Sequence, residues 1–337
     1  MSGNAEDDAA LERAAAILRD GGLVAFPTET VYGLGASALS PTAAQRIYAA
    51  KGRPSDNPLI VHISSPEQAE RLAYTTPLYY ELARRFMPGP LTIILPKRDC
   101  VPSEVTGGLQ TVALRCPENL IARRLIEAAD LPIAAPSANL SGKPSPTSAA
   151  HVLGDMNGRI EMIIDGGECD IGVESTVITL AASDGVCTVL RPGAVTEDEL
   201  AEVCGSVRVD RAVCTPSLAG EHPGSPGMKY KHYSPNANVI LVEADDESFA
   251  EYVNSHAAEH DAVFASRADS ARFTCRVLIT GVRGTASEQN HSLYSLLRYA
   301  DELSLENVYI KCPEREGEQL ALFNRLIRAA AGKITRP

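Results

Sequence analysis

One segment divides this sequence into two different patterns. Residues 214–235, CTPSLAGEHPGSPGMKYKHYSP, hold four prolines and three glycines and no apolar periodicity. Both residue types interrupt regular structure, so the run reads as a linker between folded units. Beyond it, strand-like and helical runs alternate: NVILVE, a helix over 246–258, AVFA, RVLIT, a helix over 286–302, NVYIKC and a helix over 316–331. Such alternation predicts a small, Rossmann-like parallel α/β domain in three layers over 237–337.

Ahead of the linker the order is less regular. LVAF, LIVHI (59–63), LTIIL (91–95), VALRC (112–116), IAAPS (133–137), MIID (162–165), STVITL (175–180) and CTVLRPG (187–193) read as strands. Helical patterns cover 118–129, 146–153 and 197–203. SPTAAQRIYAAKG is a further helix: Ser40 suits its cap, Pro41 its first turn and Gly52 its end. Lys51 then falls in the last turn, with Arg53 just beyond. Strands and helices without strict alternation predict an α/β fold on a mixed sheet. The expected units are 1–205, a linker over 206–236 and 237–337; a chain of 337 residues accommodates two domains.

Composition excludes several classes. No apolar run approaches the ~18 residues a membrane span needs. The start, MSGNAEDDAA, is acidic and lacks a signal-peptide pattern, which predicts a cytoplasmic protein. A net charge of −12 argues against a protein that coats nucleic acid, although a few placed donors still suffice for an anion site. The eight cysteines form no C-x-x-C and no His pair has zinc spacing, so no metal site is predicted.

The polar runs cluster at predicted strand ends. GLGASA (33–38) matches G-x-G-x-x-A, but Pro27 ends the strand early and no helix opens from the glycines, which disfavours a nicotinamide enzyme. KGRPSDNPL supplies two cations and an amide around stiffening prolines, and both cations are expected on the solvent side. APSANLSGKPSPTSAAHV (135–152) crowds Ser137, Asn139, Ser141 and Ser145 ahead of a predicted helix capped by Ser145, whose N-terminus would suit an anion. GVESTV brings Glu174, Ser175 and Thr176, while Arg115 and Arg191 end strands. Three arginines and a lysine so placed point to a polyanion. Each run taken singly is also compatible with ordinary loop chemistry, and together they leave a non-catalytic RNA-binding module as the alternative.

Eight runs occurring in order, PTETVYGLG, KGRPSDNPL, MPGPLT, VALRCP, APSANLSGKPSPT, GVESTV, LRPG and HYSP, resemble the YrdC/Sua5 family of threonylcarbamoyl-AMP synthases. The likeness is strongest over about the first 205 residues, and the remainder resembles the longer, two-domain type. The resemblance implies a twisted sheet with helices enclosing a basic cavity. It implies formation of threonylcarbamoyl-adenylate and pyrophosphate from L-threonine, bicarbonate and ATP, with Mg2+ on the nucleotide. The product would feed t6A modification of tRNA through a downstream threonylcarbamoyl-transferase machinery, with no stable nucleic-acid or membrane binding by this chain. By resemblance, Thr30, His62, Arg115 and Ser175 would contact threonine or its carbamate. Lys51, Arg53, Asn57, Thr111, Ser137, Asn139, Ser145 and Arg191 would hold ATP, and Tyr233 would reach back over it. Lys51, Arg53, Ser137 and Asn139 are the signature tetrad. No nucleophile is required of the protein.

Overall fold

The computed structural model describes residues 5–180, 186–214 and 234–337. Its first unit is a ten-stranded mixed sheet. In chain order its strands are β1 (Val24–Phe26), β2 (Gly33–Ser37), β3 (Ile60–His62), β4 (Leu91–Pro96), β5 (Thr111–Arg115), β6 (Ile133–Ala135), β7 (Met162–Ile163), β8 (Thr176–Leu180), β9 (Cys187–Arg191) and β10 (Val207–Val209). Across the sheet they run β10-β9-β8-β4-β5-β3-β6-β2-β1-β7. β3 lies parallel to β5 and antiparallel to β6, which brings the ends of three central strands to one place.

Alternation sorts the side chains into two layers. Leu23 and Ala25 face a large core; Val24 and Phe26 face a smaller one against α1 (Ala5–Arg19). The larger core covers α2 (Pro41–Lys51), whose ends follow from the sequence. Ser40 accepts from the Ala43 N–H, Pro41 occupies the first turn, and Gly52 closes the helix at φ +62°. This helix delivers Lys51 to the sheet.

The alternating half forms an all-parallel sheet of β11 (Asn238–Val242), β12 (Asp261–Ala265), β13 (Arg276–Ile279), β14 (Asn307–Lys311) and β15 (Ile334–Thr335), in the order β13-β12-β14-β11-β15. With α1 and α2 counted, the remaining helices are α3 (Pro77–Phe86), α4 (Ser103–Thr106), α5 (Leu120–Ala129), α6 (Ala149–Met156), α7 (Glu197–Cys204), α8 (Asp246–His256), α9 (Ala286–Glu302) and α10 (Leu320–Ala329). Every residue of α10 is buried, including Arg325. A core shared by Val31 and Val173 with Leu322, Phe323 and Leu326 joins the two sheets. Among the described residues no helix is long and apolar enough to cross a membrane.

Locally the structure departs from the sequence pattern at three places. GLGAS is strand β2. A Cβ on Gly35 would stand 2.8 Å from the Phe26 ring, so its glycines permit close packing of neighbouring strands. The helix expected from Ser145 starts later, at Ala149, with Ser148 as cap; the Ser145 hydroxyl is engaged elsewhere. Residues 207–209, expected in the linker, form the edge strand β10 paired with β9.

Candidate functional site

A pocket of about 60 Å³ opens at the centre of the first sheet. Its walls come from the loop after β1 (Thr28, Thr30), the end of α2 (Lys51, Arg53), β3 (Ile60, His62), the end of β5 (Arg115), the turn after β6 (Ser137, Asn139), the residue pair before β8 (Glu174) and the end of β9 (Arg191). Eight of the residues to which the resemblance gives a role therefore meet: Thr30, Lys51, Arg53, His62, Arg115, Ser137, Asn139 and Arg191.

Lys51 is not on the solvent side as expected; it is 2% exposed. Its Nζ donates to the Ser137 carbonyl and to both the carbonyl and Oδ1 of Asn139. Those contacts use all three ammonium donors and fix the turn that follows β6. Burial, then the neighbouring Arg53, pushes its pKa well below the usual lysine range. Ser137 Oγ donates to Asn139 Oδ1 at 2.6 Å, while Asn139 Nδ2 donates to the Leu140 and Lys143 carbonyls. Arg53 is also partly buried and donates to the carbonyls of Asn57 and Pro58.

The opposite wall holds a buried ion pair. Arg115 donates to Glu29 Oε1 at 2.6 Å, with both side chains almost inaccessible. Glu29 Oε2 accepts from the backbone N–H groups of Glu118 and Asn119, at the entrance to α5. Among the described residues two buried atoms of this wall have no hydrogen-bond partner: Arg115 Nε and His62 Nδ1. Burial, then the Arg115 charge, lowers the His62 pKa to about 3, so the ring is neutral near pH 7. A buried donor left unmet is costly unless a ligand meets it.

The third wall is completed by the second sheet's helices. Glu174 accepts from Ser145 Oγ at 2.5 Å, from the Tyr294 hydroxyl at 2.8 Å and from Arg325 Nε at 3.0 Å. Arg325 also donates to the Glu174 and Pro192 carbonyls. Burial raises the Glu174 pKa, but Arg325 and Arg191 outweigh it and the carboxyl sits below its ordinary range. Ser175 is fully buried; its hydroxyl meets Thr92 and accepts from Arg191, whose Nε donates to the Ser175 carbonyl.

Four nominated residues thus stand behind the pocket wall or away from it. Ser145 and Ser175 orient Glu174 and Arg191. Asn57 is buried beneath its loop, and Thr111 lies at the far end of β5 from Arg115. Tyr233 lies outside the described residues. Conversely, Glu29 and Glu174 were given no role by the resemblance, although PTETVYG and GVESTV contain them. Their signal was a lone carboxylate inside a polar run next to a buried strand.

A family model described as "Telomere recombination", for Sua5, YciO and YrdC proteins, matches residues 16–193. A second, "Threonylcarbamoyl-AMP synthase, C-terminal domain", matches residues 195–331. The chain belongs to the two-domain YrdC/Sua5 family of threonylcarbamoyl-AMP synthases. The threonylcarbamoyl-AMP synthase of Pyrococcus abyssi is 47% identical over 96% of this chain and 94% of its own. That of Bacillus subtilis is 44% identical over 98% and 95%. The crystal structure of the P. abyssi protein complexed with L-threonine superposes with a TM-score of 0.86 at 46% identity, covering 97% of this chain and 96% of that one. The family's first model ends near β9 and its second spans α9 and α10, so Glu174 is held by residues from both halves.

Proposed function

We propose that the first pocket carries out the family's reaction, joining L-threonine, bicarbonate or CO2, and MgATP into threonylcarbamoyl-AMP with release of pyrophosphate. The observation that carries this reading is the pocket's charge pattern. Lys51, Arg53, Arg115 and Arg191 face a single carboxylate, Glu174, among its lining residues, and Arg115 Nε and His62 Nδ1 await a partner. Such a lining supports reading the pocket as the basic cavity that the resemblance implies.

Arg115, oriented by Glu29, is placed to take the threonine carboxylate, as one free guanidinium N–H can do. The neutral His62 ring and Thr30 would receive threonine's hydroxyl or amine side. Threonine's amine attacks CO2, losing a proton and forming a carbamate. A carbamate oxygen then attacks the α-phosphorus of ATP, and the phosphoanhydride bond to pyrophosphate breaks. Arg53, Arg191 and the donors around Ser137 and Asn139 would hold the phosphates, while Lys51 braces that turn. Asn57, Thr111, Ser145, Ser175 and Tyr233 would act from behind or beside this site. Catalysis is positioning and charge stabilisation, with no covalent enzyme intermediate.

Magnesium enters with the nucleotide. Among the described residues no three His, Cys, Asp or Glu side chains cluster for a metal, and Glu174 is already held by Arg325, Tyr294 and Ser145. The ion would sit on the phosphates and neutralise them. The product would pass to the tRNA threonylcarbamoyl-transferase machinery. The two sheets are read as a catalytic domain reaching residue 213 and a second domain from 234. Incubation with threonine, labelled bicarbonate and MgATP should release pyrophosphate only when all three are present. Pyrophosphate release that ignores threonine would sink the reading.

A further inference from the structure

The all-parallel sheet carries a second cavity, of about 440 Å³, which shares no lining residue with the first. Loops following β11, β12, β13 and β14 all reach it, through Ala244, Ser266, Thr280 and Cys312. On one face of the sheet, α8 and the β12–β13 connection pack Phe249, Val253 and Phe273 against Val242 and Val263. On the other, α9 and α10 pack Leu293 and Leu326 near Phe264 and Ile310. Loops from neighbouring strands of the sheet therefore leave toward opposite faces and open a crevice at the carboxyl ends of the strands. Parallel α/β sheets bind small molecules in that position, and this volume falls within the ordinary range for such sites.

The chemistry of the walls narrows the occupant. Phe249, Phe264 and Phe273 line the cavity, three of the six phenylalanines in the whole chain. Phe249 and Phe273 meet edge to face at 5.7 Å. Phe249 and Phe264 are 4% and 5% exposed and back the wall, while Phe273 is partly exposed and offers an apolar surface to an aromatic group. Cations stand at the rim. Lys311 is paired with Asp246 and Arg272 with Asp269. Arg283 is exposed and, among the described residues, its guanidinium has no ion pair or hydrogen bond. Its loop is nonetheless fixed. The Glu288 carboxylate accepts from the backbone N–H groups of Val282, Arg283, Gly284 and Thr285, and Gln289 Nε2 donates to the Gly284 carbonyl at 2.6 Å. That carboxylate fills the N–H nest where an anion would otherwise sit, so an incoming anion is left with the Arg283 side chain.

We propose that this cavity binds a mononucleotide, with its base against Phe273 and its phosphate on Arg283. A lone phosphate would leave the apolar floor bare, and a nucleoside would leave Arg283 unmet.

Calorimetric titration of the full chain with AMP, adenosine and inorganic phosphate tests this. The first pocket also takes an adenine nucleotide on the reading above, so variants separate the sites: Arg283→Ala and Ala244→Phe act on the second cavity, Lys51→Ala on the first. The expected result is an AMP-binding event that Lys51→Ala leaves in place, that Arg283→Ala weakens at least tenfold and that Ala244→Phe removes. Adenosine and phosphate alone should bind there at least tenfold more weakly than AMP. Arg283 is a surface side chain, so its removal reports on binding even if Ala244→Phe fails to fold. The proposal is overturned if no AMP binding responds to Arg283→Ala, or if phosphate alone binds as tightly as AMP. Failure of the reading of the first pocket shows separately, as threonine-independent pyrophosphate release.

Discussion

Two buried carboxylates shape the first pocket, and they are held in different ways. Glu29 is supported from within its own unit, by Arg115 and by the start of α5. Glu174 takes one bond from Ser145 in its own unit but its cation and a second hydroxyl from the other, Arg325 on α10 and Tyr294 on α9. The wall that meets threonine in the proposed reaction is therefore self-sufficient. The wall beside Arg191 depends on a domain that contributes no lining residue. The second domain thus acts on the pocket as an outside brace.

The largest effect should come from breaking that brace. Arg325→Ala strands the buried Glu174 carboxylate, and losing one partner of a buried pair typically costs about 3–5 kcal/mol. Thermal or denaturant unfolding should show that loss, together with reduced threonine-dependent pyrophosphate release. A variant as stable and active as the parent would mean the second domain does not brace the pocket. Truncation tests the same point only if the cut spares β10, after residue 213, because the edge strand pairs at 207–209.

How far the sequence announced this follows from the range of each contact. The caps of α2 were legible because Ser40, Pro41 and Gly52 act on their own neighbours. The residues that meet in the pocket were legible as polar runs at the ends of apolar ones. Burial of Lys51 was not, since its acceptors lie 86 and 88 residues away. The start of α6 was misplaced for the same reason: Ser145 looks like a cap locally, but its hydroxyl goes to Glu174, 29 residues on. Strand β2 was hidden because GLGAS has no β-branched residue, and its glycines answer to Phe26 across the sheet. The brace itself spans about half the chain, from Glu174 to Arg325, beyond any local pattern.

The self-sufficient wall can be loosened without unpacking it. Glu29→Gln keeps the size of the side chain but removes the charge that orients Arg115. The KM for threonine should rise about tenfold, roughly 1.4 kcal/mol, with a smaller change in kcat. An unaltered KM would mean that Arg115 does not meet threonine or does not need Glu29 to do so.

His62 gives this wall a pH signature. Its folded pKa of about 3 lies below the ordinary 6.5, so the unfolded chain binds the proton first. Stability from this group is complete above about pH 6.5 and is lost as pH falls toward 3, with a slope of up to about 1.4 kcal/mol per pH unit. Unfolding of His62→Gln measured across that window should be flatter than that of the parent. Equal slopes would show that His62 is not the group responsible.

The smallest change sharpens the comparison most. Tyr294→Phe removes one hydrogen bond to Glu174 and leaves Arg325 and Ser145 in place. One hydrogen bond to a charged group contributes about 1.5–3 kcal/mol net to stability, but the carboxylate keeps two other donors, so the loss should be about 1 kcal/mol. If turnover then falls much further than stability does, the hydroxyl sets the angle of Glu174 and not merely its charge. If neither changes, Arg325 and Ser145 hold the wall between them and α9 only packs against it. Leu293 and Leu326, the chain neighbours of Tyr294 and Arg325, line the second cavity. The two cavities therefore press on the same two helices, and the Tyr294→Phe result tells which helix carries the load.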